Sequence, residues 1–404
     1  MDARLRHGRA SLAVSFFVQG VVFALLVTRI PALQDRYGIS DALLPVFLAA
    51  VPVLAGVGSV CTEQLVKRVR PTLVLRCVQP MVCLALVGAG SGNALWQCAV
   101  ALALFGITVG GLDASMNMLG VSLQHAYGRS IMLGFHAAYS LGGIAGASLA
   151  WVGAHWHLSL AVLYGPTAVV LIPVAVVAGW WFVDQEAGDS TQSAGERSGG
   201  SIGFRSLLPF CLVMAFAYIG DSTVSNWSAK YLQDTLHSSE QLATLPYNVY
   251  MVTTLLGRAV GDLGVRRFGA VAVVRFGSVV AASGFVVVAV APGAWVGMVG
   301  FTILGLGLCV IVPQTFAAAG RHAYDQHGAS VSDAAIARLN VFNYVGFLVG
   351  SPLVGAIGDA WNYRAAMLVP MALVLATLLY ARSFGAKPDR YGVGHERPRA
   401  VDVG

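Results

Sequence analysis

Residues 58–76 read GSVCTEQLVKRVRPTLVLR, and residues 257–275 read GRAVGDLGVRRFGAVAVVR. At an offset of 199 the two stretches share Gly58/Gly257, Val66/Val265, Arg68/Arg267, Val74/Val273 and Arg76/Arg275, and they pair Glu63 with Asp262 and Lys67 with Arg266. The same offset relates Leu33-Gln34-Asp35 to Leu232-Gln233-Asp234 and Gly106 to Gly305. Gly142 and Gly146 match Gly346 and Gly350 at 204. Self-similarity at nearly one offset, spread over half the chain, marks a duplicated structural unit.

Both copies of the charged loop sit between long apolar runs. The chain has 404 residues, of which 57% are hydrophobic and only 11% charged, against about 25% charged in soluble domains. Water is therefore not its main solvent. About 20 apolar residues in a helix cross a bilayer, and runs of that kind fall at 12–33, 42–62, 72–90, 95–118, 131–153, 159–183, 206–229, 241–261, 270–291, 294–318, 337–358 and 363–382. The eighth is interrupted at its start by Pro246 and Asn248. Backbone groups in lipid must be hydrogen-bonded within the protein, which makes helices the reading of such runs, and no alternating barrel pattern competes. The first run has the basic start of a signal peptide, but it is long for one and has no small-x-small cleavage site after it, so it reads as an uncleaved first helix. Forty-seven glycines suit close helix contact.

Twelve crossings with the N-terminus inside put 21 of the 25 Lys and Arg on the cytoplasmic side, leaving Arg29, Arg36, Lys230 and Arg364 outside. That bias fixes the orientation and demands an even number of crossings. The expected organisation is a six-helix bundle at 1–183, a cytoplasmic linker at 184–205 rich in Gly, Ser and charge, a second six-helix bundle at 206–384, and a disordered cytoplasmic tail at 385–404. The net charge of +6 does not indicate a nucleic-acid partner, because the basic residues lie in short clusters between apolar runs. Cys61, Cys77, Cys83, Cys98, Cys211 and Cys309 lie in or beside apolar segments without metal-like spacing, so neither a metal site nor a disulfide framework is expected.

Two parallel six-helix halves joined by an inside linker resemble the major facilitator superfamily. The repeated loop is similar to that superfamily's signature between helices 2 and 3, in outline G-x-x-x-D-R-x-G-R-R. The copy Gly257-Arg258…Asp262…Arg267-Phe268-Gly269 is the nearer match; the first has Glu63 for the acid and Arg70 where a glycine stands. Asp113-x-x-Met116-Asn117…Gly128-Arg129…Phe135-His136…Ser140-Leu141-Gly142-Gly143 and Asp221…Asn226-Trp227-Ser228-Ala229-x-Tyr231-Leu232 resemble a poorly characterised bacterial inner-membrane branch. The resemblance covers residues 10–382. It implies an all-α, twelve-helix fold of two pseudo-symmetric bundles, transport across the inner membrane, no cofactor, and Glu63, Arg68, Arg258, Asp262 and Arg267 as residues of a cytoplasmic gate. Ordinary anchoring by positive loops is the other reading of those arginines.

Ionisable groups inside spans cost at least ~2.5–3.5 kcal/mol at a helix centre, which makes each a functional candidate. Asp221 falls near the middle of the seventh span. Asp113 and His136 fall in the inner parts of the fourth and fifth, with Asn117 one turn from Asp113. We read Asp221, Asp113 and His136 as proton-coupling candidates, with Asp113 and His136 as a pair; a structural hydrogen bond between helices is the competing reading of that pair. Gln19, Asn117, Tyr139, Asn226, Trp227, Gln314, Asn343 and Tyr344 are candidates to contact substrate, and their mostly neutral character suggests a polar, uncharged or weakly charged solute. The expected protein is a monomeric, proton-linked symporter of a small solute, in contact with membrane lipid. An uncoupled facilitator or efflux carrier, and a membrane sensor on a transporter fold, are the alternatives. No nucleophile–base or metal constellation points to an enzyme.

Overall fold

The computed structural model describes residues 3–40, 43–183, 202–239, 242 and 245–385, and its ordered elements are helices. The expected linker lies outside the described residues up to 201, and the expected tail from 386 onward. In chain order the helices are α1 (Ala3–Thr28), α2 (Ile30–Tyr37), α3 (Leu44–Leu65), α4 (Pro71–Ser91), α5 (Leu95–Tyr127), α6 (Met132–His155), α7 (Leu160–Gly179), α8 (Phe204–Lys230), α9 (Leu245–Phe268), α10 (Ala270–Val290), α11 (Ala294–Leu308), α12 (Ile311–His327), α13 (Ala329–Ala360), α14 (Tyr363–Ala366) and α15 (Leu368–Tyr380). A single π-turn, Tyr231–Thr235, extends α8.

Among the described residues, 10 helical segments are long and apolar enough to cross a membrane. The second pass is carried by α3, whose apolar part is the shorter Ala49–Leu65. The eighth is α9, where Arg258, Asp262, Arg266 and Arg267 lower the hydropathy of a helix that is otherwise long enough. The tenth pass is split at Cys309 and Val310 into α11 and α12, and the twelfth into α14 and α15. Several helices outrun the apolar spans seen in the sequence. α5 continues to Tyr127, α12 to His327, and α13 begins at Ala329, because the flanking polar residues carry on the helix beyond the apolar stretch. All these extensions project at the end that carries the basic loops, called here the basic end.

The two halves repeat one packing scheme. In the first, α1 lies along α6, α5 packs on α3 and α4, and α4 on α7; in the second, α8 lies along α13, α11 packs on α9 and α10, and α10 on α15. The halves meet where α3 crosses α13 and α6 crosses α9. The small-residue motifs sit at the closest crossings. A β-carbon on Gly142 or Gly146 would overlap the carbonyl oxygens of Phe17 and Val21 on α1, and one on Gly346 or Gly350 would overlap Ala215 and Ser222 on α8. Without a hydrophobic drive between helices in lipid, such close backbone approach supplies the packing.

The repeated loop also shows where duplication has drifted. Gly269 caps α10 at φ +82°, a conformation that glycine adopts without penalty. Arg70, its counterpart, stands at φ −66° ahead of Pro71, which opens α4 at a position where proline needs no amide. The missing glycine therefore reflects a different turn. All six cysteines are free.

Gly142→Val and Gly346→Val should each lower the melting temperature of the detergent-solubilised protein, by the equivalent of about 1–3 kcal/mol or more. Gly143→Ala should not, since nothing lies within 4 Å of the position its β-carbon would take. Equal melting of all three variants would contradict the crossing geometry.

Candidate functional site

Asp113 on α5 is half-buried and accepts hydrogen bonds from Gln19 Nε2 on α1 and Tyr344 Oη on α13. Gln19 belongs to the first half and Tyr344 to the second, so one carboxylate is held from both. Asn117, one turn along α5, donates Nδ2 to the Asp113 carbonyl at 2.9 Å. Asp221 on α8 accepts from Tyr250 Oη of α9 at 2.5 Å. Tyr139 and Tyr218 lie within electrostatic range of both Asp113 and Asp221, and Tyr247 within range of Asp221. The two acids thus lie among the same tyrosines, a grouping called here the central chamber. Their hydrogen-bond donors here are neutral side chains, not cations.

The pairing of Asp113 with His136 expected from the sequence is not formed: both Asp113 oxygens are taken by Gln19 and Tyr344. His136 sits instead among rings, 5.4 Å from Phe16 and 6.3 Å from Phe316 between centroids, and its Nε2 has no partner. Beside the chamber, Asn343 Nδ2 donates to Asn340 Oδ1 at 2.6 Å, and Asn340 Nδ2 donates to Ser59 Oγ at 2.8 Å across the halves. Three buried side-chain atoms on α5, α6 and α13 have no protein partner: Asn117 Oδ1, His136 Nε2 and Asn343 Oδ1. Buried polar groups are seldom left so, which makes this an interior suited to water or a polar solute.

Three expected contact residues take other places. Trp227 donates Nε1 to the Ser351 carbonyl at 3.0 Å and lies tilted against Tyr363, so it packs α8 onto α13 and α14. Asn226 is exposed, rotated by one residue from the Asp221–Ser225 face. Gln314 lines a cavity at the basic end. Tyr218, Tyr247 and Tyr250, which the sequence reading passed over, are central; the i, i+3 spacing of Tyr247 and Tyr250 in the eighth span is the signal that could have found them.

At the basic end the two halves are clamped by the acids of the repeated loop. Asp262, 7% exposed, accepts from Ser130 Oγ at 2.6 Å and from the backbone amides of Leu133 at 3.3 Å and Gly134 at 2.9 Å. Gln124 Oε1 accepts from the amides of Ile131 and Met132 at 2.9 and 3.1 Å. Between them, the two side chains satisfy the open amides at the start of α6, and one of the caps comes from the other half. Glu63, 6% exposed, instead takes Arg338 Nε at 2.8 Å and Nη2 at 2.7 Å on one oxygen. Arg266 donates Nε and Nη2 to the Ser130 carbonyl at 3.0 and 2.6 Å, and Arg258 Nη1 reaches Ser140 Oγ at 2.7 Å. Of the expected gate residues, then, Glu63, Asp262 and Arg258 join the halves. Arg68 and Arg267 are exposed, the latter lying over Phe268, and Arg338 and Arg266 make the contacts expected of them.

The Major Facilitator Superfamily family model matches residues 210–400. An uncharacterized MFS-type transporter of Yersinia pestis is 26% identical over 385 residues, covering 93% of this chain and 95% of that relative. The membrane protein MosC of Rhizobium meliloti is 25% identical over 395 residues, covering 94% and 91%. Among solved structures, the MFS transporter FucP in its outward conformation superposes with a TM-score of 0.77 at 16% identity, over 94% of this chain and 99% of that one. The human organic anion transporter MFSD10 gives a TM-score of 0.75 at 13% identity, over 94% and 100%. Those two likenesses speak for the fold. Together with the duplicated helical architecture, the relatives over more than nine-tenths of the chain and the family model over its second half, they make the chain similar to the major facilitator superfamily along its length, with the fold of that superfamily.

Proposed function

We propose that this transporter moves a small polar solute across the cytoplasmic membrane by alternating access, coupled to protons, with the basic end and both termini in the cytoplasm. The excess of Lys and Arg at that end supports the orientation. On this reading the halves are the bundles 1–183 and 206–384, and the structure is of a state closed towards the cytoplasm. A fucose:proton symporter shares the fold, so the architecture can accommodate such coupling.

One observation carries the proposal. Asp113 is hydrogen-bonded by Gln19 of one half and Tyr344 of the other, both neutral donors. A carboxylate inside a bilayer protein needs its charge matched as the cavity closes over it. As an anion it accepts charge-assisted bonds, roughly twice as strong as neutral ones. Once protonated, one of its oxygens becomes a donor and the bond from Tyr344 weakens. Proton arrival at Asp113 would thus loosen a contact between the halves, which is the link coupling requires. Asp221, bonded to Tyr250, is the second protonation site, and Tyr139, Tyr218, Tyr247 and Tyr344 offer the solute hydroxyls and ring faces. Such a lining favours a polar, uncharged or weakly charged solute.

In proteoliposomes supplied with a panel of metabolites, Asp221→Asn and Asp113→Asn should each abolish accumulation driven by a pH gradient, while solute exchange at equal pH persists. Uphill uptake at wild-type levels in both variants would refute coupling through these acids. For the clamp, a cysteine at Asn117→Cys, in a background without Cys61 and Cys77, should be labelled from the basic side about tenfold faster when Asp262→Asn or Glu63→Gln is added, a shift of about 1.4 kcal/mol. Arg68→Gln should leave the rate unchanged. Acceleration by Arg68→Gln alone would overturn this assignment of the clamp.

A further inference from the structure

A cavity lies open at the basic end, and none of the acids or tyrosines grouped around Asp113 and Asp221 lines it. Its volume is about 460 Å³, and it is bounded by the ends of α5 and α12, the 128–130 turn, α9 and the start of α13. The walls belong to both halves: His125, Arg129 and Ser130 on one side, Arg266, Arg321 and Asp333 on the other. His125 and Tyr324 meet across the junction with ring centroids 4.2 Å apart and planes tilted by 42°.

Among the described residues of its wall there are three guanidinium groups and one carboxylate. Bonds to main-chain carbonyls position Arg266 and Arg321. Arg266 gives Nε and Nη2 to Ser130, and Arg321 gives Nη2 to Phe384 at 3.1 Å. Arg266 has a further nitrogen, Nη1, beyond those two bonds. Gln314 supplies the independent sign of a ligand. It is 2% exposed, it lines the cavity, and its Nε2 has no hydrogen-bond partner. A buried donor in that condition wants an acceptor, and the arginines require that acceptor to be anionic.

We infer that this cavity binds a small phosphate-bearing anion entering from the basic end, and that the anion, touching both halves, holds that end closed. A phosphate group offers three acceptor oxygens in the geometry that guanidinium forks match. The space exceeds one phosphate, and Asp333 on the wall calls for a hydroxyl on the remainder of the ligand. A soluble phosphate ester and a phospholipid headgroup share that chemistry. The inference is independent of proton coupling, since it concerns a different set of residues and the closed state alone.

The test uses the purified full chain in neutral, lipid-free detergent, titrated with inorganic phosphate at constant ionic strength. A parallel arm uses nanodiscs with and without phosphatidylglycerol. We expect a saturable rise in melting temperature and slower labelling of Asn117→Cys from the basic side. Arg321→Gln and Gln314→Leu should each weaken the apparent affinity, the former about tenfold, while Asp333→Asn should tighten it about threefold. Gln314→Leu keeps the test decisive if Arg321→Gln folds poorly, because it removes a donor that has no protein partner. A response to phosphate in detergent assigns a soluble anion; the same variant-sensitive response confined to phosphatidylglycerol nanodiscs assigns a lipid headgroup. Absence of a saturable effect in both arms, or an effect that Gln314→Leu and Asp333→Asn leave unchanged, overturns the site.

Discussion

An acid in the interior of a membrane protein must find its hydrogen bonds within the protein, and the rest of this structure is arranged around that need. Asp113 is met by Gln19 from α1 and Tyr344 from α13. For both donors to reach it, α1 has to lie close to α5, and α13 has to cross from the other half. The first condition is served by the tight α1–α6 crossing at Gly142 and Gly146, the second by the α3–α13 crossing between halves. The helix packing thereby sets the electrostatics of the chamber. Any movement that parts the halves must also change what Asp113 is bonded to.

The same economy appears at the basic end, but there the two halves have diverged. Asp262 and Glu63 are equivalent by the repeat, and the positions they touch are equivalent too, since Gly134 and Arg338 stand at the same 204-residue offset as the paired glycine motifs. One acid nevertheless meets backbone amides and the other a guanidinium. The cause is where the partner helix begins. α6 starts at Met132, so the amide of Gly134 lies in the first turn and is open; α13 starts at Ala329, so the amide of residue 338 is spent inside the helix and a side chain must answer the acid. A longer helix on one side has converted a cap into an ion pair while preserving the contact.

That history also explains what could be read from the sequence. The long apolar helices, the duplication and the gathering of the basic loops at one end follow from hydropathy, offset and charge, which are properties of a line of residues. Asp113, Asp221, Glu63 and Asp262 were legible because a carboxylate in an apolar setting stands out. Their partners were not, because a partner is chosen by a crossing between distant segments: Tyr344 lies 231 residues from Asp113, and Arg338 lies 275 from Glu63. Proximity along the chain misled the reading of His136, which is near Asp113 in sequence but faces Phe16 and Phe316. Arg68 and Arg267 fit the loop signature, yet the neighbouring position, Arg266, is the one that turns toward the other half.

These contacts also bound the energetics of opening. Hydrogen bonds to charged groups are worth about 1.5–3 kcal/mol each and neutral ones about 0.5–1.5. The polar clamp at the basic end, with Asp262, Glu63, Arg258 and Arg266 as its members, therefore amounts to several kcal/mol before packing is counted. A ligand moves such an equilibrium only by the difference in its affinity for the two states, and taking it from one side to the other needs about 5.5 kcal/mol of that difference. Bonds of that total lie within reach of such a difference. The glycine crossings within each half carry no such balance, because their contacts are backbone against backbone and have nothing to exchange with solvent. The clamp's bonds from charged side chains lie instead along the α3–α13 and α6–α9 seams, where water can replace a partner.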